Sequence, residues 1–307
     1  MFAGLLGIFI GGGQALQTAV NSRLRGYLGS PFYASLISFS GGTLCLALVA
    51  LLSGQSLWIS ATTWANTPFW LWIGGSLGVI VLTSNILLFP RLGSMQTALM
   101  PILGQVLMGV LIDHFGWFGA PQQSFGLTRL GGVILVLAGI FITVVLPNLR
   151  QAKNTVASGL WGWRVLGVLA GGLSATQTAM NGTLGRLLDS AILAAFVSFF
   201  LGALCLILLV ALKEGRWQRL PQALQAGMPI WCIGGGCLGA FFITGSVILV
   251  PLIGTGLTVL VSLLGLIGGS LLIDQFGLLG SPRKRIHAVQ WLGLCILLGG
   301  IALVRLG

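Results

Sequence analysis

One passage occurs twice in this chain. "QTAVNSRLRGYLGSPFYASLISFSGGTLCL" begins at Gln17 and "QTAMNGTLGRLLDSAILAAFVSFFLGALCL" at Gln177, an offset of 160 residues held without a gap over thirty positions, fourteen of them identical. After one inserted residue the offset becomes 161 and persists. "GQVLMGVLIDHFGWFGAP" at Gly104 answers "GLIGGSLLIDQFGLLGSP" at Gly265, Pro90 answers Pro251, Gly74 and Gly78 answer Gly235 and Gly239, and Asp113 answers Asp274. The chain is one unit written twice, and its fold has to accommodate both copies.

The solvent for that unit is lipid. Charged residues are 6% of the chain and apolar ones 56%, against about 25% charged in soluble domains. A membrane-crossing helix needs roughly 20 mostly apolar residues. Ten such stretches are expected, at 2–22, 32–53, 68–89, 94–113, 129–147, 162–184, 190–212, 228–250, 254–273 and 288–305. Turn-forming residues separate them, as in "FPRLGS" at Phe89–Ser94 and "VPLIGT" at Val250–Thr255. The apolar runs do not alternate, which disfavours a β-barrel. The start, "MFAGLLGIFIGGG", lacks the basic segment of a secretory signal and reads as a retained first helix. The expected fold class is therefore an all-α polytopic membrane protein of ten helices. Its domains are a first five-helix repeat over 1–147, a linker over 148–161 and a second repeat over 162–307.

Five crossings per copy is an odd number. A chain that crosses five times leaves on the face opposite to the one it entered, so the second copy is expected upside down relative to the first, an inverted repeat. Charge supports this reading. With the N-terminus on side A, that side carries only Arg129, Arg186 and Arg305 of the fifteen basic residues, and side B carries the other twelve. Basic loops mark the cytoplasmic side, so side B is expected inside and both termini outside. The same excess, a net charge of +11, is scattered between apolar runs and forms no nucleic-acid-binding stripe.

Polar residues inside such helices need partners, because lipid offers none. Gln14, Gln17 and Asn21 share one face of the first helix, and Gln177 and Asn181 repeat it in the sixth. Ser38 and Ser198 recur, and Asn85 answers Ser246. Gln105, four residues after Pro101, faces Leu266 in the other copy and so stands alone. These ten residues are the expected cavity-lining, substrate-binding set, the alternative being hydrogen bonds between helices. Asp113 and Asp274 close their helices at opposite faces and are expected as helix-end anchors or gates. No acid is expected at mid-membrane for a proton relay.

Five cysteines lie singly in apolar runs, so neither a metal nor a disulfide is expected, and no cofactor is implied. "GGSLG" at Gly74–Gly78 matches a hydrolase elbow only by spelling. It falls in an apolar helix and recurs as "GGCLG" at Gly235–Gly239, the pattern of small-residue helix packing. No catalytic residue is assigned, and an enzyme is the least favoured class.

The duplicated "QTAVNSRLRGYLGSP" and "QTAMNGTLGRLLDS", each followed by "LLFPRLG" or "ILVPLIG" and by "LIDHFG" or "LIDQFG", resemble the drug/metabolite transporter superfamily, in its bacterial inner-membrane exporter branch. The resemblance implies a cavity lined by the first four helices of each half, with Gln14, Gln17, Asn21, Gln177 and Asn181 at its border and the fifth helices peripheral. Small multidrug exporters of the superfamily use a first-helix glutamate for proton exchange; here that helix carries Gln14 and Gln17 instead. The expected function is secondary transport of a small organic metabolite or drug-like solute by alternating access. The alternatives are a non-transporting membrane scaffold or partner subunit and a translocase for lipid-linked substrates. The expected partners are the solute and membrane lipid. A monomer of two fused halves and a homodimer both fit the sequence.

Overall fold

The computed structural model describes residues 2–124, 126–148, 160–215, 217–280, 283 and 285–306, with backbone alone for 85, 86, 89, 90, 93–98 and 148. The expected linker, 148–161, lies almost wholly outside the described residues. Twelve α-helices follow in chain order: α1 Phe2–Leu28, α2 Pro31–Leu52, α3 Ala61–Asn66, α4 Phe69–Trp72, α5 Gly74–Phe115, α6 Leu127–Ile140, α7 Trp161–Leu187, α8 Ala191–Lys213, α9 Arg219–Gln225, α10 Gly235–Ile253, α11 Thr255–Phe276 and α12 Ala288–Leu306. No strand occurs among the described residues.

Matching residues start and stop matching helices. Ser30 Oγ accepts the Tyr33 N–H at 3.1 Å to cap α2, and Ser190 Oγ accepts the Leu193 N–H at 3.1 Å to cap α8. Gly116 and Gly277, both at φ +64°, end α5 and α11 in the left-handed conformation that glycine adopts without a steric cost.

Seven described stretches are long and apolar enough to cross a bilayer: Phe2–Leu28, Pro31–Leu52, Leu127–Val145, Ala191–Lys213, Ile230–Ile253, Thr255–Phe276 and Ala288–Leu306. The three remaining expected spans differ for two reasons. The sixth, 162–184, is the helix α7, which is long enough but carries Ser174, Thr176, Gln177, Thr178, Asn181 and Thr183 and so falls short on hydropathy. The third and fourth, 68–89 and 94–113, share the single helix α5, with apolar stretches at Gly74–Ser84 and Leu99–Phe115. Where α10 and α11 part at Gly254, φ +80°, helical backbone runs on through the matching Gly93.

Contacts with α7 show how 42 residues of helix, about 63 Å if straight, are accommodated. Gly74 meets Asn181, Gly78 meets Gln177 and Leu88 meets Gly167, so the first limb of α5 runs antiparallel to α7. Then Pro101 meets Gly171, Met108 meets Gly172 and Gly119 meets Thr183, so the second limb runs parallel to it. Leu88 and Met100 both touch Gly167. The chain therefore doubles back between these residues, and α5 is a V with α7 lying along both arms.

The second copy treats the first in the same way. Gly235 meets Asn21, Gly239 meets Gln17, Gly265 meets Ile8, and Gly11 meets the Ser262 carbonyl just as Gly171 meets that of Pro101. In α2 and α8, Gly42 seats Phe199 and Gly202 seats Phe39, and the two rings lie 5.1 Å apart. In α6 and α12, Gly132 abuts Gly300 and Val304, and Gly139 abuts Gly293 and Leu297, an antiparallel seam of glycines seven residues apart. A side chain at most of these glycines would overlap a backbone. Lipid supplies no hydrophobic drive between helices, so van der Waals contact at such close approach is the main source of cohesion.

This makes the glycines separable by experiment. Gly171→Ala, which drives a methyl into the Pro101 carbonyl, is expected to lower stability by about 1–3 kcal/mol. Gly268→Ala meets nothing within 4 Å and is expected to be neutral or slightly stabilising. Thermal unfolding of the detergent-solubilised protein distinguishes the two.

Candidate functional site

Where the two copies face each other at mid-helix, α1, α5, α7, α10 and α11 leave a small polar cavity. Its wall includes Gln14 of α1, Gln105 of α5, Thr178 of α7, Ser246 and Phe242 of α10, and Thr258 and Ser262 of α11. To a water-sized sphere it measures about 10 Å³, room for about one water. Three of the ten expected residues, Gln14, Gln105 and Ser246, therefore come together at one place. No Asp, Glu, Lys or Arg stands among the described lining residues.

Each lining group has a defined state. The Gln105 amide donates to Ser174 Oγ at 3.0 Å, which holds the side chain toward α7 and leaves its carbonyl oxygen outside that bond. The Ser246 hydroxyl donates to the Phe242 carbonyl at 2.9 Å and the Thr258 hydroxyl to the Gly254 carbonyl at 2.6 Å. Ser262 is 5% exposed, and its Oγ has no hydrogen-bond partner among the described residues. A buried hydroxyl left in that state costs free energy that a bound polar group would recover.

Six of the other expected residues make contacts between helices. Asn21 donates to Ser38 Oγ at 3.1 Å and Asn181 to Ser198 Oγ at 3.1 Å, tying α1 to α2 and α7 to α8. The free amide oxygens of both asparagines lie against Gly235 and Gly74. Gln17 and Gln177 lie over Gly239 and Gly78, where a larger residue would displace the amide. For Asn85 only the backbone within α5 is described. A larger hollow of about 600 Å³ is peripheral, between Trp64, Phe69 and Trp72 and Leu201 of α8, and contains none of the expected residues.

The two acids stand in opposite surroundings. Asp113 is fully buried, and its carboxylate accepts from the backbone N–H of Thr255 at 2.7 Å and of Gly256 at 2.9 Å and pairs with Arg129 at 2.8 Å. Asp274 borders an open crevice of about 430 Å³ between the ends of α1 and α11, together with Thr18, Ser22, Arg23 and Ser270.

The sequence reading missed Thr258 and Ser262. Their signal was present, two hydroxyls four residues apart in a helix otherwise almost wholly apolar. Ser262 answers Pro101 in the other copy, so the pair is not duplicated, and a serine or threonine in a helix can bond its own backbone and signals a cavity less strongly than an amide does.

A family model described as "Putative inner membrane exporter, YdcZ" matches the chain twice, over residues 2–142 and 162–303. No curated protein matches the chain. A solved crystal structure superposes with a TM-score of 0.64 at 17% identity, over 99% of this chain and 96% of its own, a likeness that concerns the fold alone.

The division between packing and cavity residues has a measurable consequence. Ser198→Ala leaves the Asn181 amide donor buried without its acceptor and is expected to cost about 1–3 kcal/mol in thermal or denaturant unfolding. Ser262→Ala removes a hydroxyl that is already unpartnered and is expected to leave stability unchanged or improved.

Proposed function

Because this chain belongs to the YdcZ family of inner membrane exporters, a family of transporters, we propose that it moves a small neutral or zwitterionic organic solute across the inner membrane through the cavity between its two copies. The observation that carries this reading is the wall of that cavity: amides and hydroxyls from both copies, one buried hydroxyl unpartnered, and no ionised group among the described residues. A dication placed there would lie in low dielectric without a counter-charge, at a large energetic cost. A solute that is neutral, or internally balanced, exchanges hydrogen bonds with Gln14, Gln105 and Ser262 and avoids that cost.

The arrangement we propose is ten crossings in two five-helix repeats, 1–147 and 162–307, of opposite orientation. The linker 148–161 lies on the cytoplasmic side and both termini outside. Two lines support it. Paired helices run as such a repeat requires: α1 parallel to α11, the second limb of α5 parallel to α7, and α2 and α6 antiparallel to α8 and α12. The uneven spread of basic residues agrees, twelve against three. Within this arrangement the cavity opens to one face and then the other as the copies rock about it. At room for about one water, the present cavity is the closed-down centre of that cycle.

Transport in reconstituted vesicles tests the proposal, using a panel of labelled neutral, zwitterionic and cationic solutes. A neutral or zwitterionic member is expected to accumulate faster than in protein-free vesicles. Gln105→Leu, which installs the residue of the other copy, and Ser262→Ala are expected to slow it by about tenfold, the loss of a hydrogen bond or two. The control Gly268→Ala is expected to leave it unchanged. Uptake of a dication driven by a pH gradient and indifferent to Gln105→Leu would overturn both the solute class and the site.

A further inference from the structure

We infer that Asp113 is a one-sided latch, clamped by Arg129, that shuts the cavity at the face where α1 begins, and that the face where Asp274 stands lacks the arginine clamp. The inference rests on the two-mouthed carrier reading above and adds which mouth is held closed, and by what.

The latch is built from both copies. α11 follows Gly254 and has no side-chain cap of its own. Its first two N–H groups, of Thr255 and Gly256, are taken by the carboxylate of Asp113, which stands on α5 of the other copy. A carboxylate on a helix N-terminus is favoured by the helix dipole and by charge-assisted hydrogen bonds. Arg129 of α6, 1% exposed, completes the cluster through Nη2, and its Nη1 donates to the Gln123 carbonyl at 3.5 Å. Gln123 binds in turn to both copies: its N–H donates to the Asp113 backbone carbonyl at 2.8 Å, and its amide donates to the Ile253 carbonyl at 3.3 Å. A second fastening lies beside this one. Thr183 donates to the Phe118 carbonyl at 2.6 Å, and Arg186 to the Gly119 carbonyl, drawing the loop after α5 onto α7.

The opposite face repeats the scaffold with different residues at the fastening positions. Loop geometry is preserved: Gln122 donates to the His114 carbonyl at 3.2 Å, and Arg283, 161 residues later, donates to the Gln275 carbonyl at 3.2 Å. Gln290 occupies the place of Arg129 and carries no charge. Its amide is engaged elsewhere, accepting from the His287 N–H at 3.0 Å and donating to the Thr143 carbonyl at 3.4 Å. Arg23 and Gly26 occupy the places of Thr183 and Arg186; Arg23 lies against Gly280, which answers Gly119, and Gly26 brings no second cation to that loop. Asp274 is half-buried and borders the open crevice, where Asp113 is fully buried. The flanking surfaces match this difference: Thr18 and Ser22 are exposed, and their counterparts Thr178 and Gly182 are half-buried and buried. The sequence alone thus sets a preference between the two faces that a symmetric pair of copies would lack.

Thiol labelling tests this without any solute. In full-length protein with Cys45, Cys205, Cys232, Cys237 and Cys295 replaced by Ala, single reporters Thr18→Cys and Thr178→Cys are reconstituted in lipid and exposed to a membrane-impermeant methanethiosulfonate from both faces. The Thr18 position is expected to react about tenfold faster than Thr178. Asp113→Asn and Arg129→Gln are each expected to raise the Thr178 rate by about fivefold or more and to narrow the gap between the reporters. Gln290→Arg, which supplies the missing clamp beside Asp274, is expected to slow the Thr18 reporter and leave the fold intact. Equal rates at the two reporters overturn the latch, as do unchanged Thr178 rates in folded Asp113→Asn and Arg129→Gln proteins. If those variants do not fold, Gln290→Arg decides, and an unchanged Thr18 rate overturns the inference. Transport without these labelling shifts removes the latch and leaves the carrier. The labelling shifts in a protein that moves none of the panel solutes keep the latch and remove the carrier reading.

Discussion

Glycine against backbone is the contact on which the rest of this structure depends. In lipid, burying an apolar side chain between helices gains little, since the tails outside are equally apolar. Cohesion has to come from close approach, and close approach requires that side chains be missing at the points of contact. Gly11, Gly75, Gly104, Gly171, Gly236 and Gly265 each rest on a carbonyl of a neighbouring helix. Because the chain is duplicated, each notch has a partner on the other copy, and the two copies enter one another instead of merely touching. The V of α5 around α7, and the packing of α10 and α11 on α1, are the two halves of that mutual grip.

Close backbones also decide where polar side chains are placed. Asn21 and Asn181 each fill the space above a glycine and bond a serine one helix away. Gln17 and Gln177 lie flat over further glycines. Four of the amides that share the polar face in the sequence thus lie against glycines of the other copy. What remains polar and unclosed is the small set at the centre, where Gln14, Gln105 and Ser262 converge from three different helices.

Much of the architecture was legible in the sequence, and so was the family. An offset of 160 residues is visible without structure, and the family model matches the same two regions. The helix count was less legible. "FPRLGS" at Phe89–Ser94 has the Pro and Gly that mark a break, yet helical backbone continues through it, whereas the matching "VPLIGT" breaks at Gly254. Turn residues report what a backbone tolerates, and the neighbouring helices decide which option it takes. Which polar residues border the central cavity was the least legible. Periodicity finds a polar face, but only the depth of the opposing helix says whether that face meets a glycine or a space. Ser262 carries a weaker signal than the amides, since a helical hydroxyl can bond its own backbone.

The antiparallel seam of α6 and α12 limits how the molecule can move. Gly132 and Gly139 seat the opposing chain at fixed positions, and Gly293 and Gly300 return the same bite. Teeth so engaged block travel along the helix axis, because a shift of one residue would carry a branched side chain onto a bare backbone. They do not block pivoting. The seam is thus an axle and not a rail: α6 and α12 can turn against each other at these four residues but cannot slide past one another.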